Sequence, residues 1–433
     1  MMKKILFMFL FPLMGYSQTI WTLEHCIEYA LENNISIKQS EIDLQTSDVD
    51  KLQAKGSFLP SLNGNVTYNL NEGRNINPVT NQFENTFFQS ASGGVSMDLP
   101  LFAGLQNWRR LKQAELSKIA AQYNLDKMKD DISLMIINAY LEILSNKEQI
   151  KLLTIQLEAS KESLQRTRDL IEAGSLPQGD IYEAESQILT QEQQIITTEN
   201  ALFISKMGLA QLLLLKNYQD FDVADTAFDV PITDILSRTP AEIFEKAKTI
   251  IKDVKIAEAN VDLAENNLSL AKSAHSPRLS AQWGYNSRWS KSYPESFWSQ
   301  LDTNKGMYAG LGLSIPILNG FSTMTNVKRQ KLNLLKSQWN KEQAILTLER
   351  TIYQAYTDTA NAKKLFEASE KTAQAKRQSY TYAKERHDVG LMNTFDFNQA
   401  KYQYETSENQ SIRAKYQYIF KIKVLQYYFG EKL

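Results

Sequence analysis

Cysteine, histidine, proline and glycine are all scarce in this chain of 433 residues: one Cys, three His, 10 Pro and 17 Gly. A lone Cys26 excludes an intramolecular disulfide framework and any cysteine-based zinc or iron–sulfur site. The histidines, His25, His275 and His387, are too far apart to show metal-ligand spacing. Few glycines and prolines argue against a turn-rich sandwich or a disordered chain and suit long, uninterrupted helices. Net charge is also missing: 48 Lys and Arg balance 49 Asp and Glu. That balance leaves no basic field for nucleic acid and no acidic tail. With this equipment absent, the chain reads as a non-enzyme without a cofactor or a metal.

What is present begins at the N-terminus. Lys3 and Lys4 precede the apolar run Ile5 to Met14, and the small residues Gly15 and Ser17 precede Gln18. This is the pattern of a secretory signal, residues 1–17, cleaved between Ser17 and Gln18. The run is shorter than the ~20 residues of a spanning helix, and no later stretch is long and apolar enough to be one. Cys26 follows Glu24 and His25, a poor lipoprotein signal, and is expected as a buried helix residue. The mature protein is therefore exported, and is either soluble or a membrane β-barrel.

The chain is written twice. At an offset of 216 or 217, TLEHCIEYA (22–30) falls on TPAEIFEKA (239–247), FLPSLNGNVTYN (58–69) on HSPRLSAQWGYN (275–286), and LPLFAGL (99–105) on IPILNGF (315–321). Later, Gly174 and Asp180 meet Gly390 and Asp396. A register held across four blocks marks an internal duplication: repeats 18–216 and 239–433, joined by a polar connector at 217–238. Each repeat reads as short helix, helix, two strands, very long helix, turn, long helix. Residues 104–171 hold no Pro and no internal Gly after Gly104; as one helix they would reach roughly 100 Å. Residues 321–387 match them, and the returning helices fall at about 179–215 and 394–429.

Such helices need a partner along their length. Ile136, Ala139, Ile143, Asn146, Ile150, Leu153, Leu157, Ser160 and Leu164 recur at alternating spacings of three and four. So do Ile352, Ala355, Thr359, Ala362, Phe366, Ser369, Ala373, Lys376 and Tyr380. This is a coiled-coil seam. The second copy is smaller and more polar, which favours close packing near water.

Four segments have a period of two instead. Over 61–71, Leu62, Gly64, Val66, Tyr68 and Leu70 oppose five polar residues; over 88–99, Val95, Met97 and Leu99 oppose Ser96 and Asp98. Over 279–289, Trp283 and Tyr285 oppose Gln282, Gly284, Asn286 and Arg288; over 306–316, Leu311 and Leu313 oppose Gly310 and Gly312. Each has the length of a tilted membrane strand, apolar outside and small or polar inside. Leu62, Val66, Tyr68, Val95, Met97, Trp283, Tyr285, Leu311 and Leu313 are expected to face lipid. Four strands cannot close a barrel, and open edges in lipid cost several kcal/mol per unpaired group. The chain should oligomerise; the strands alone do not choose between three subunits and four. Residues 72–87 and 290–305 read as long polar loops. Pro60, Pro100, Pro277 and Pro316 stand where strands give way to helices, and Phe58, Phe102, Trp108 and Phe321 around them suggest an aromatic belt or corner packing.

In this order and duplication, in the LPLFAGL and IPILNGF junctions and in the AGSLPQGD and VGLMNTFD turns, the chain resembles the TolC-like outer membrane efflux channel family from about Thr22 to Gly430. Its GRNINPVTNQF loop (73–83) looks like the Bacteroidetes-type members. The resemblance implies a mostly α protein with membrane β: a homotrimer whose twelve-stranded barrel, four strands per chain, sits in the outer membrane and continues into a periplasmic α-helical coiled-coil barrel. It further implies a tripartite efflux or secretion channel, passing small molecules or secreted proteins, with a periplasmic adaptor and an inner-membrane pump of the RND, ABC or MFS type. Other classes are a surface coiled-coil spacer or adhesin and a passive uptake porin. A spacer needs no lipid-length strands, and a porin supplies all its strands from one chain.

A conduit needs a gate, and the turns at Gly174 and Gly390 are the candidates. Asp180 and Asp396, each six residues on, either cap the returning helix or, on a symmetric ring, place a circle of charge at the narrowest point. Glu183 and Gln399 lie one turn later. Family members latched by ionic links carry a basic residue where this chain has Met392; Lys384 and Arg386 are the nearby substitutes. His387 beside the turn is a candidate pH-tuning group or a solvated surface residue.

Overall fold

The computed structural model describes residues 21–76, 81–216, 218–219, 221–225 and 228–431. The export segment 1–17 with its cleavage position, residues 77–80 of the first polar loop, and 217, 220, 226 and 227 of the connector lie outside the described residues. The element order is α1 (Leu23–Asn33), α2 (Ile35–Gly56), β1 (Ser61–Ile76), β2 (Phe83–Phe102), α3 (Gln106–Glu172), α4 (Gly179–Leu212), α5 (Pro240–Ile250), α6 (Lys252–Lys272), β3 (Arg278–Ser290), α7 (Phe297–Thr303), β4 (Gly306–Ser314), α8 (Ser322–Asp388) and α9 (Thr394–Phe429).

The described chain packs as two compact units, and each takes segments from both halves of the sequence. The first holds residues up to Lys38, Lys129–Lys246 and Thr351 onward. Its core is aliphatic: Ile37, Ile136, Ile143, Leu209, Ile235, Ile243, Ile352, Ile419 and Ile422 are fully buried. Both copies of its short first helix start on a threonine. The Thr22 hydroxyl accepts from the His25 amide, and Thr239 and Glu242 form a reciprocal capping box, with bonds of 3.0 and 3.3 Å. Cys26 lies buried in α1, and burial pushes its thiol up to about 12. The two predicted seams hold: none of the eighteen residues named for them is exposed. On α8 and α9, Tyr380 stacks on Tyr404 at 5.2 Å and Phe366 on Tyr418 at 6.2 Å.

The second unit holds Gln39–Met128 and Ala247–Arg350. Its helical part has a core of small residues, among them Ala114, Ala120, Ala259, Ala264 and Ala271. Ion pairs join its helices: Lys51–Glu115 at 3.3 Å, Lys127–Asp253 at 3.2 Å and Lys341–Glu258 at 3.3 Å. The remainder is one antiparallel sheet in the order β1-β2-β3-β4. Two expectations are corrected here. The first polar loop is much shorter than 72–87, because β1 runs to Ile76 and β2 starts at Phe83, with Glu72 facing Phe87 and Arg74 facing Asn85. The second, 290–305, contains the short helix α7, capped by Ser296.

The corners repeat as well. Gly104 and Leu105 both adopt left-handed backbone, with φ of 60° and 65°; Gly320 and Phe321 do the same, with φ of 58° and 62°. Such angles are uncommon for large side chains, so the shared pair is a deliberate corner that turns strand into helix. At Gly104 a Cβ would come within 2.8 Å of the Ser273 carbonyl, so glycine is required by closeness too. Pro100 does not end its strand: it lies inside β2, beside a bulge between Pro100 and Phe102.

Candidate pore wall and gate

The register puts the apolar positions of all four strands on one face. Leu62 pairs with Met97, which pairs with Trp283, which pairs with Ala309; Gly64, Val95, Tyr285 and Met307 form the next row. That face is open to the surroundings: Val66 is 86% exposed and Leu311 73%. Leu62, Tyr68, Val95, Tyr285 and Leu313 are exposed too, while Met97 and Trp283 are half-buried. A contiguous apolar sheet face of this kind is foreign to a soluble monomer. The other face carries Asn63, Asn65, Ser96, Gln282, Asn286 and glycines. At the corners Phe58 meets Trp108 edge-on at 5.1 Å, and Phe102, Trp108 and Phe321 remain exposed. Among the described residues β1 and β4 each have one strand neighbour, so both sheet edges are open.

At the far ends of the helices, the two turns are built alike. Gly174 (φ 73°) and Gly390 (φ 75°) follow α3 and α8. The Ser175 amide reaches back to the Leu170 carbonyl, and Leu391 to Arg386, each at 2.8 Å. This is the Schellman closure that needs a left-handed residue. The acidic residues then differ from a simple capping role. The cap of α9 is Asn393, whose side chain accepts from the Asp396 amide at 2.7 Å and donates to the Asp396 carboxylate at 2.8 Å. Asp180 accepts from the Thr394 hydroxyl at 2.8 Å, tying the first turn to the second. Arg386 donates to the Leu391 carbonyl of its own turn at 3.4 Å. Glu183, Asp396 and Gln399 are exposed and Met392 is half-buried. His387 stacks on Phe397 at 4.5 Å.

Other ties were not foreseen from the sequence. Arg166 on α3 pairs with Asp388 on α8 at 3.2 Å. Further from the turns, Gln191 on α4 donates to both oxygens of Glu405 on α9 at 3.0 Å, and Lys401 on α9 donates to Ser160 on α3 at 2.5 Å. Lys401 and Glu405, 3.9 Å apart, are both buried. Burial pushes the Glu405 carboxyl up and the Lys401 ammonium down. A signal existed: Asp180–Thr394 and Gln191–Glu405 are both 214 residues apart, close to the repeat offset, so the ties join equivalent levels of the two hairpins.

An open-edged sheet with one apolar face, continued by paired helices of 67 residues, defines a subunit of a membrane-spanning conduit. The family model described as outer membrane efflux protein matches residues 26–213 and 245–428. The chain belongs to the outer membrane efflux protein family, whose members are channels of the outer membrane that extend into the periplasm. Outer membrane protein TolC of Vibrio cholerae is 22% identical over 99% of this chain and 96% of its own length. The proteases secretion protein PrtF of Dickeya chrysanthemi is 22% identical over 78% and 72%. Among solved structures, the outer membrane protein VceC of Vibrio cholerae superposes with a TM-score of 0.79 at 14% identity, covering 94% of this chain and 96% of that one. The CmeC outer membrane channel of Campylobacter jejuni gives 0.78 at 17%, covering 94% and 85%. These likenesses show a shared fold.

Proposed function

We propose that three copies of this chain close one twelve-stranded barrel in the outer membrane, β4 of each copy pairing with β1 of the next. The observation that carries this is the sheet itself: its apolar face is exposed and both edges are open, and in lipid each unpaired backbone group costs several kcal/mol. Pairing between copies satisfies them. The apolar face then meets lipid and the Asn-, Ser- and Gly-rich face lines a water-filled lumen. The helical hairpins continue the conduit into the periplasm, where the turns at Gly174 and Gly390 form its gate. There Asp396, held by Asn393, presents a ring of carboxylates, and the Asp180–Thr394 and Arg166–Asp388 ties hold the two hairpins of each subunit together.

A periplasmic adaptor and an inner-membrane pump complete the assembly and supply the driving force; the channel is passive. Cargo is small toxic molecules or secreted proteins. The first fits the efflux channels the chain resembles, the second the relatives named for protease secretion. The test is current through purified protein in planar bilayers. Discrete, long-lived channel openings support the reading; intact oligomers that carry no current overturn it.

A further inference from the structure

The polar face of the sheet is nearly uncharged. On its four-stranded part, Asn, Ser, Thr, Gln, Gly and Tyr line the wall, and the charges are Asp98, Arg278 and Arg288. Asp98 and Arg278 sit near the helix-proximal ends of their strands. Arg288 lies toward the other end of β3. It is exposed, and the residue facing it on β2 is Ser92. Asp98 is six residues along β2 from Ser92, roughly 20 Å, and Glu84 eight residues the other way, roughly 26 Å. Both exceed the screening length of about 8 Å at physiological salt, so neither β2 carboxylate neutralises the guanidinium; Asp302, on α7 where it packs against β3 beside Arg288, is held by Lys305 at 2.6 Å.

Arg288 also borders a built concavity of about 320 Å³, with Asn65, Gly94, Ser96, Asn286 and Tyr308 on the same face. Glycine shapes it: Gly94 lines it, where a Cβ would come within 2.8 Å of the Tyr285 carbonyl, and beside it Gly284 seats the Tyr308 ring, which a Cβ there would meet at 2.5 Å. The bay thus offers one fork of guanidinium donors, amide and hydroxyl groups and an aromatic face, with its floor kept low by glycine.

We propose that Arg288 is a specificity-determining residue of the barrel wall, engaging oxyanion groups of solutes that pass or enter from outside. A guanidinium holds such groups by two parallel bonds, and in the closed barrel the three copies form a cationic ring. This rests on the polar face being the lumen. The test is block of single-channel current by inorganic triphosphate added to the outer side of a planar bilayer. Arg288→Gln should weaken block roughly ten-fold or more, and Arg288→Lys less, because it keeps the charge and loses the fork. As a second arm, Arg288→Cys labelled with a cationic methanethiosulfonate should regain block, and labelled with an anionic one should not. Cys26 is buried and stays silent. Wild-type oligomers that carry no current would overturn the channel reading, and this inference with it. A conducting wild type whose block is absent, or is unchanged by Arg288→Gln, would overturn the role of Arg288 alone.

Discussion

Asp222, in the connector between the repeats, is bound by Lys147 at 2.8 Å and Lys206 at 3.0 Å. Burial pushes its carboxyl up, but the hydrogen bonds and charges of the two lysines outweigh this and hold it below the ordinary value of 3.8. A depressed carboxyl contributes stability that is present above its unfolded pKa and lost as pH falls through the folded one. Its side chain is half exposed, so screening limits the contribution to about 1 kcal/mol or less. Asp222→Asn should therefore lower the melting temperature at pH 7, and the difference from wild type should shrink below pH 4, as read by tryptophan fluorescence in detergent. A constant difference down to pH 2 would contradict this. Lys401 and Glu405 differ because both are buried. Lys401→Met leaves Glu405 without its cation and should cost about 3 kcal/mol or more, whereas Lys401→Met with Glu405→Leu should recover most of that. Denaturant midpoints for the single and double variants decide it; equal losses in both would show that the pair is not coupled.

At the scale of elements, the strands should respond to charge by face. Val66→Arg or Leu311→Arg puts a cation into lipid at about 2–4 kcal/mol near the midplane. Asn65→Arg or Gly312→Arg faces water and should alter conductance while leaving assembly intact. Equal loss of membrane-inserted oligomer from both pairs would contradict the register. At the other end, Thr394→Val removes the tie to Asp180 and Arg166→Ala the tie to Asp388; together they should raise the frequency of open-channel events. Asp396→Asn keeps the Asn393 cap and should lower cation preference without changing opening. The sequence made the lipid-length strands legible because alternation is forced wherever one face meets an apolar medium. It did not show that β1 continues past Asn71 or that β2 starts before Phe88, since Glu72, Arg74 and Asn85 break the apolar alternation there and the pairing is carried by backbone bonds. Likewise, the composition of the two turns pointed to Asp180 and Asp396, but not to Asn393 or Thr394. A polar side chain's partner depends on which hairpins meet, and only the repeat offset hinted at that.

At the scale of the whole molecule, the duplication explains why paired helices, paired corners and paired turns recur with one set of rules. It also explains why either repeat alone is insufficient. Fragments 18–216 and 239–433 each carry two strands and one hairpin, so three copies would leave the barrel half built. The central claim is that three chains complete one conduit. The mass of the detergent-extracted, membrane-derived oligomer tests it most directly, measured by native mass spectrometry after detergent removal in the gas phase. Three copies of the mature chain per particle is the predicted result. A stable monomer, or any other copy number, would contradict the account.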